Sequence, residues 1–128
     1  GKFPDYQKVV PKSNSKTLQV NSKDLINSVE RVTTVSIDRK EGVKLTLEKD
    51  NIQLFVNSSS SGEGKETIKA NYNSDQLTIS FNSRYLLDIV SEIEDASITM
   101  KLNDAVSPVL ILDKTDNQSY FVIMPMKI

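Results

Sequence analysis

The sequence contains no cysteine, no histidine and no tryptophan. Without cysteine there is no disulfide and no thiolate metal site, a usage that suits a reducing compartment. Without histidine, Ser-His-Asp and Cys-His nucleophiles, imidazole–zinc sites and histidine proton shuttles are excluded. An enzyme built on this chain would have only carboxylates, lysine and tyrosine to move protons with. An enzymatic role is therefore disfavoured, and no cofactor is expected. No apolar run approaches the roughly 20 residues of a membrane-spanning helix, and no signal-peptide pattern is visible. No membrane span or membrane partner is therefore expected. Charge of one sign is missing too: 16 basic residues face 17 acidic ones, a net charge of −1. That is a poor footprint for a tight grip on phosphate backbones, although a small basic face remains open.

What is present fits one domain with one core. The chain has 128 residues, 38% of them hydrophobic and 26% charged, which is globular rather than disordered. It opens on Gly1 rather than Met and runs at once into the turn signal Phe3-Pro4-Asp5. This reads as a piece of something longer, or as a tag-derived glycine ahead of a natural start.

An internal repeat organises the chain. "LQVNSKDLINSV" (Leu18–Val29) and "ISFNSRYLLDIV" (Ile79–Val90) share a plan: alternating apolar residues, Asn-Ser, a basic residue, then apolar residues at helical spacing. Asn21 or Ser22, and Asn82 or Ser83, can cap the first turn of a helix. Leu25, Val29 and Val32 make one apolar stripe; Leu86, Ile89, Val90 and Ile93 make the other. Downstream, "LTLEKDNIQLFV" (Leu45–Val56) and "LILDKTDNQSYFV" (Leu110–Val122) each read as strand, polar turn, strand. Thr67–Tyr72 and Ser97–Leu102 alternate like strands, and "NSSSSGEGKE" (Asn57–Glu66) reads as an exposed connection. Each half is thus strand, helix, three strands, or about eight strands and two helices in all. The expectation is an α+β pseudo-twofold domain, mainly antiparallel, with its two helices side by side on a sheet layer. No Gly-rich phosphate loop is present, and two helices are too few for a Rossmann pattern.

The candidate sites are modest. Asp88, Glu92, Glu94 and Asp95 cluster around the second helix, but Asp88 and Glu92 are at i,i+4 and share a solvated face. Lys23, Arg31 and Arg84 lie off the apolar stripes. Lys23 and Arg84 occupy neighbouring places in the repeat, so both a weak phosphate-facing surface and plain solvated helix faces fit them. Most unusual is the ending "YFVIMPMKI", Tyr120–Ile128, where only Lys127 is charged. Tyr120–Ile123 reads as a last strand. Met124–Ile128 must leave the sheet, because Pro125 cannot donate to a ladder, and Met124 and Met126 offer adaptable side chains to a partner.

The opening "FPDYQKVVPK", the middle "FNSRYLLDIV" and the ending "YFVIMPMKI" together resemble the C-terminal third of the bacterial sliding clamps, the beta subunits of DNA polymerase III. The resemblance runs over essentially the whole chain, and "VIMPMKI" is its most specific piece. It implies a DNA-clamp fold and the last of three similar domains in a subunit. Two such subunits make a homodimeric ring around duplex DNA, with helices facing the hole. The implied function is a processivity factor, not an enzyme, in the bacterial cytoplasm at the nucleoid. Its implied partners are encircled DNA, without regard to sequence, and linear motifs of the polymerase III alpha subunit, the clamp loader and repair polymerases.

The resemblance also implies sites. A hydrophobic peptide groove would draw on Pro4, Lys8 and Val9, Asn82 and Tyr85, Val106 and Pro108, and Val122 with Met124, Pro125, Met126, Lys127 and Ile128. The ring contact would involve Thr34, Val35, Glu63 and Glu66, and the DNA-facing residues would be Lys23, Arg31 and Arg84. The groove lies at a domain junction in the family, so this chain is expected to carry one wall of it. Departures are visible: Lys8 and Lys127 stand where arginine is frequent, and Lys lacks the planar fork of Arg. Pro108 stands near a usual small serine, and Thr34 and the acid-poor "NSSSSGEGKE" predict a weaker ring contact. A freestanding nucleic-acid-binding protein is the alternative, disfavoured by the acidic balance and the scarcity of stacking aromatics. A carboxylate hydrolase comes third.

Overall fold

The two Asn-Ser pairs sit where strand becomes helix. In the computed structural model, residues 16–34, 42–58, 62–93, 96–112 and 120–126 are described. Strand β1 (Lys16–Asn21) runs into helix α1 (Ser22–Thr33), and β6 (Leu77–Asn82) runs into α2 (Ser83–Glu92). Asn21 Oδ1 accepts the Asp24 N–H at 3.0 Å and Asn82 Oδ1 accepts the Tyr85 N–H at 3.1 Å. Of the two capping candidates in each pair it is therefore asparagine that caps; Ser22 and Ser83 are the buried first helical residues. Each asparagine satisfies a donor that the first helical turn leaves without a partner.

The remaining strands are β2 (Gly42–Glu48), β3 (Asn51–Ser58), β4 (Gly62–Lys69), β5 (Asn71–Tyr72), β7 (Ser97–Leu102), β8 (Val109–Leu112) and β9 (Tyr120–Ile123). They form two antiparallel sheets, ordered β5-β1-β7-β8-β9 and β4-β3-β2-β6. The repeat becomes a strand exchange. The first strand of each half leaves its own meander and pairs with the other: β1 joins β7-β8-β9, and β6 joins β2-β3-β4. Even the registers correspond, because Asn21 pairs with Ser97 at the start of β7 and Asn82 pairs with Gly42 at the start of β2. The α+β, pseudo-twofold expectation holds.

Two expectations need correction. "NSSSSGEGKE" is not a free connection: Asn57 and Ser58 close β3, and Gly62–Glu66 open β4, paired Asn57 to Glu63 and Val56 to Gly64. The segment looks unlike a strand because its inward positions are filled by close approach rather than by apolar side chains. A Cβ added at Gly64 would stand 2.4 Å from the Val32 carbonyl oxygen, so α1 lies directly on β4. Glu66, also on the inward side, meets polar residues of α1 instead of a core. Second, Thr67–Tyr72 is not one strand. Ala70 N–H donates to the Asp50 carbonyl and Asp50 N–H to the Tyr72 carbonyl, so the chain leaves β3 there and crosses to the other sheet as β5. Among the described residues this gives nine strands rather than about eight.

The hairpin at Lys49-Asp50 follows from its sequence. Asp50 has φ 65°, a left-handed conformation that Asp tolerates better than most residues, and it closes a two-residue turn between paired Glu48 and Asn51. One apolar cluster unites both layers. Leu25, Val29 and Val32 of α1, Leu86 and Val90 of α2 and Ile93 just after it pack with Leu45, Leu54 and Phe81 of one sheet and Leu18, Ile98 and Ile111 of the other. Ile89 is only partly buried against it. The helices touch each other.

Candidate functional site

Topology brings the described members of the expected groove toward one end of the sheets. In the β8–β9 pair Val109 faces Ile123, so the loop entering β8 and the tail leaving β9 emerge together. That loop carries Val106 and Pro108, and the tail carries Met124, Pro125 and Met126. The Met126 N–H then donates to the Ser80 carbonyl at 2.8 Å, which draws the tail against β6, two residues before the Asn82 cap. Tyr85 follows in the first turn of α2. The tail leaves the sheet at Met124, as Pro125 predicts, but it is tethered two residues later, at Met126, to the neighbouring sheet.

The large apolar side chains exposed at this end are conspicuous. Tyr85 is 66% exposed, Val106 62%, Met124 59% and Val122 54%, and these are the large hydrophobic residues that the described chain leaves in solvent. All of them belong to the expected groove. Pro108, Pro125 and Met126 are half-buried, as is Asn82. Pro4, Lys8, Val9, Lys127 and Ile128 lie outside the described residues.

The other expected sites are arranged differently. Lys23 and Arg84 occupy the second position of their helices, are exposed, and make no ion pair with a described residue. Arg31 is engaged: its Nε and Nη2 donate to the two carboxylate oxygens of Glu66 at 2.6 and 2.7 Å. A residue expected on the DNA face is thus joined to one expected on the ring edge. Thr34 is exposed and its Oγ1 donates to the Arg31 carbonyl at 2.7 Å, while Glu63 is exposed on β4. Val35 lies outside the described residues, as do Glu94 and Asp95. Asp88 and Glu92 stand exposed on α2.

Sequence reasoning missed residues that hold these sites in shape. Asp104 binds the backbone of the loop that carries Val106, Ser80 receives the tail, and Ser28 completes the Glu66 site. Asp104 was findable, since an Asn-Asp pair shortly before Ser107-Pro108 is a turn signal. Ser80 contributes only its carbonyl, which no sequence pattern reveals. A shallow cleft of about 520 Å³ lies elsewhere, between β1, the Asp50 turn and Lys69, and contains none of the expected site residues.

Comparison with known proteins identifies the family. The family model described as DNA polymerase III beta subunit, C-terminal domain, matches residues 7–127. The beta sliding clamp of Caulobacter vibrioides is 34% identical over 128 residues, which is 100% of this chain and 34% of that protein. Among solved structures, a DNA polymerase III subunit beta sliding clamp from Bartonella birtlesii aligns with a TM-score of 0.88 at 43% identity, over 100% of this chain and 37% of its own. A second clamp structure from that organism, bound to griselimycin, gives a TM-score of 0.89 at 43% identity, over 100% of this chain and 35% of its own. The chain therefore spans about a third of the length of such relatives. It has the DNA-clamp fold, and it belongs to the family of DNA polymerase III beta subunits, matching their C-terminal domain.

Proposed function

We propose that this chain is the last of three domains in a sliding-clamp subunit, and that it docks linear peptides while contributing to a homodimeric ring around duplex DNA. The observation that carries the docking role is the exposed apolar set. A soluble domain with a well-filled core leaves Tyr85, Val106, Val122 and Met124 in solvent, all at one end. A patch of this kind marks an interaction surface, and its tyrosine and methionine suit the capture of apolar anchors.

The ring acts mechanically, keeping a polymerase on its template without a chemical step. Net charge −1 with a few basic residues at the helix starts suits that role, because strong phosphate contacts would hinder sliding. The partners are the replicative polymerase, the clamp loader and repair polymerases, each reached through a short apolar motif, in the cytoplasm of a bacterium. The structure of a related clamp bound to griselimycin supports a docking site on this family's surface.

Fluorescence polarisation of a labelled peptide bearing Leu and Phe tests the docking role. Replacing Met124 and Met126 with Ala is expected to abolish capture while the fold persists, since truncated hot-spot contacts cost about 2 kcal/mol or more each. Unchanged affinity contradicts it.

A further inference from the structure

Asp104 stands in the loop between β7 and β8, outside both sheets. Its Oδ1 accepts the Val106 N–H at 2.9 Å and the Ser107 N–H at 2.7 Å. Its Oδ2 accepts from Asn103 Nδ2 at 3.1 Å, and the same Nδ2 reaches Ser107 Oγ at 3.5 Å. From the neighbouring strand, Lys16 Nζ donates to the Asn103 carbonyl at 2.8 Å. The loop therefore has one carboxylate at its centre, a lysine anchoring its base, and Val106 at its tip.

Val106 is 62% exposed, so its side chain has little packing to fix it. What fixes it is its backbone, and in this loop the backbone is fixed by Asp104. Two amides that no strand partner satisfies are collected by one oxygen. The Val106 N–H, followed by the Ser107 hydroxyl, holds the Asp104 carboxyl below the usual carboxylate range, and the Lys16 charge acts in the same direction. An apolar anchor held ready before a partner arrives binds more tightly than one that must be ordered on binding.

We propose that Asp104 is a positioning residue of the peptide-docking surface, setting the Val106–Pro108 segment in its binding-competent shape without touching the peptide. This rests on the docking role proposed above. It assigns a share of the affinity to a carboxylate whose effect is transmitted through two backbone amides.

The test compares Asp104→Ala, Asp104→Asn and Val106→Ala in the polypeptide as its gene encodes it. Two readouts are needed: affinity for a peptide bearing Leu and Phe by calorimetry, and amide hydrogen exchange at Val106 and Ser107. Asp104→Ala is expected to weaken binding about tenfold and to speed exchange at both amides. Asp104→Asn retains an acceptor oxygen at the same place and is expected to stay within about twofold of the parent. If Asp104→Ala binds like the parent while Val106→Ala is weakened, the surface stands and the positioning role is overturned. If Val106→Ala also binds like the parent, the docking surface itself fails, and the proposal with it. If Asp104→Asn is as weak as Asp104→Ala, charge rather than acceptor geometry governs, which also overturns the proposal. Should Asp104→Ala not fold, Asp104→Glu, whose longer arm misplaces the acceptor, is expected to bind weakly, and parental affinity in that variant overturns the role.

Discussion

Arg31 and Glu66 face each other across the contact between α1 and β4, joined by Nε–Oε2 at 2.6 Å and Nη2–Oε1 at 2.7 Å. Ser28 Oγ donates to Glu66 Oε1 at 3.1 Å, so the carboxylate is held from two successive turns of one helix. The Arg31 hydrogen bonds hold the Glu66 carboxyl below its usual range, with help from Ser28 and against partial burial. An unfolded chain takes up the proton first as pH falls. The contribution of the pair is therefore complete above the ordinary glutamate pKa and is lost as pH drops through the lowered folded value. Arg31 is exposed, so the effect is modest and screened by salt. Thermal melts of the parent and Glu66→Gln are expected to differ at neutral pH, with the parent higher. They converge in acid, below the lowered folded value, and in about 1 M salt. A gap that is constant across pH and salt contradicts this assignment.

Gly64 is required for a different reason. The Val32 carbonyl oxygen lies 2.4 Å from where a Cβ would stand, and that oxygen is backbone with no rotamer to change. Gly64→Ala is expected to push α1 off β4 and cost about 1–3 kcal/mol, the range for overpacking. Denaturant titration reads it as a lower midpoint. An unchanged midpoint shows that α1 does not sit this close.

The twin caps separate stability from function. Asn21→Ala and Asn82→Ala each remove one capping bond and are each expected to cost about 1 kcal/mol by thermal denaturation. The Asn82 bond goes to the N–H of Tyr85, the most exposed of the large apolar residues, whereas the Asn21 bond goes to that of Asp24. Asn82→Ala should therefore also weaken peptide binding, and Asn21→Ala should not. Equal binding losses would disconnect Tyr85 from the docking surface.

DNA contact should be weak. With Arg31 committed to Glu66, Lys23 and Arg84 are the members of the basic set that carry no ion pair among the described residues. Gel shifts with linear duplex at physiological salt are expected to show no tight complex. Lys23→Ala with Arg84→Ala should reduce only the weak binding seen at low salt. A tight, salt-resistant complex would point to a nucleic-acid-binding protein rather than a sliding one.

How much of this was legible in the sequence follows from the kind of interaction each element uses. The helices and the β2–β3 hairpin rest on local signals: an asparagine cap, an apolar stripe, a Lys-Asp turn. β4 was not legible up to Glu66, because its inward face carries Gly64 and Glu66, whose roles depend on α1 lying across them. The break at Ala70 depends on two backbone bonds to Asp50, invisible to any pattern of side chains. The groove residues were named through resemblance, since nothing local ties Tyr85 to Val106 or Met124. Their common exposure is a physical observation independent of the resemblance, and it supports the proposal that they share a surface. The loop chemistry of Asp104 was readable but pointed to no partner until Val106 was seen in solvent.

The central claim is most directly tested by amide chemical-shift mapping on the isotope-labelled 128-residue chain, titrated with an unlabelled peptide bearing Leu and Phe. Even weak binding by one wall of a groove moves the residues it touches. The account predicts shifts gathered at Tyr85, Val106, Val122 and Met124, with the cleft between Asp24, Asp50 and Lys69 unchanged. Peptide in large excess that leaves those four residues unmoved, or that moves the cleft instead, contradicts it.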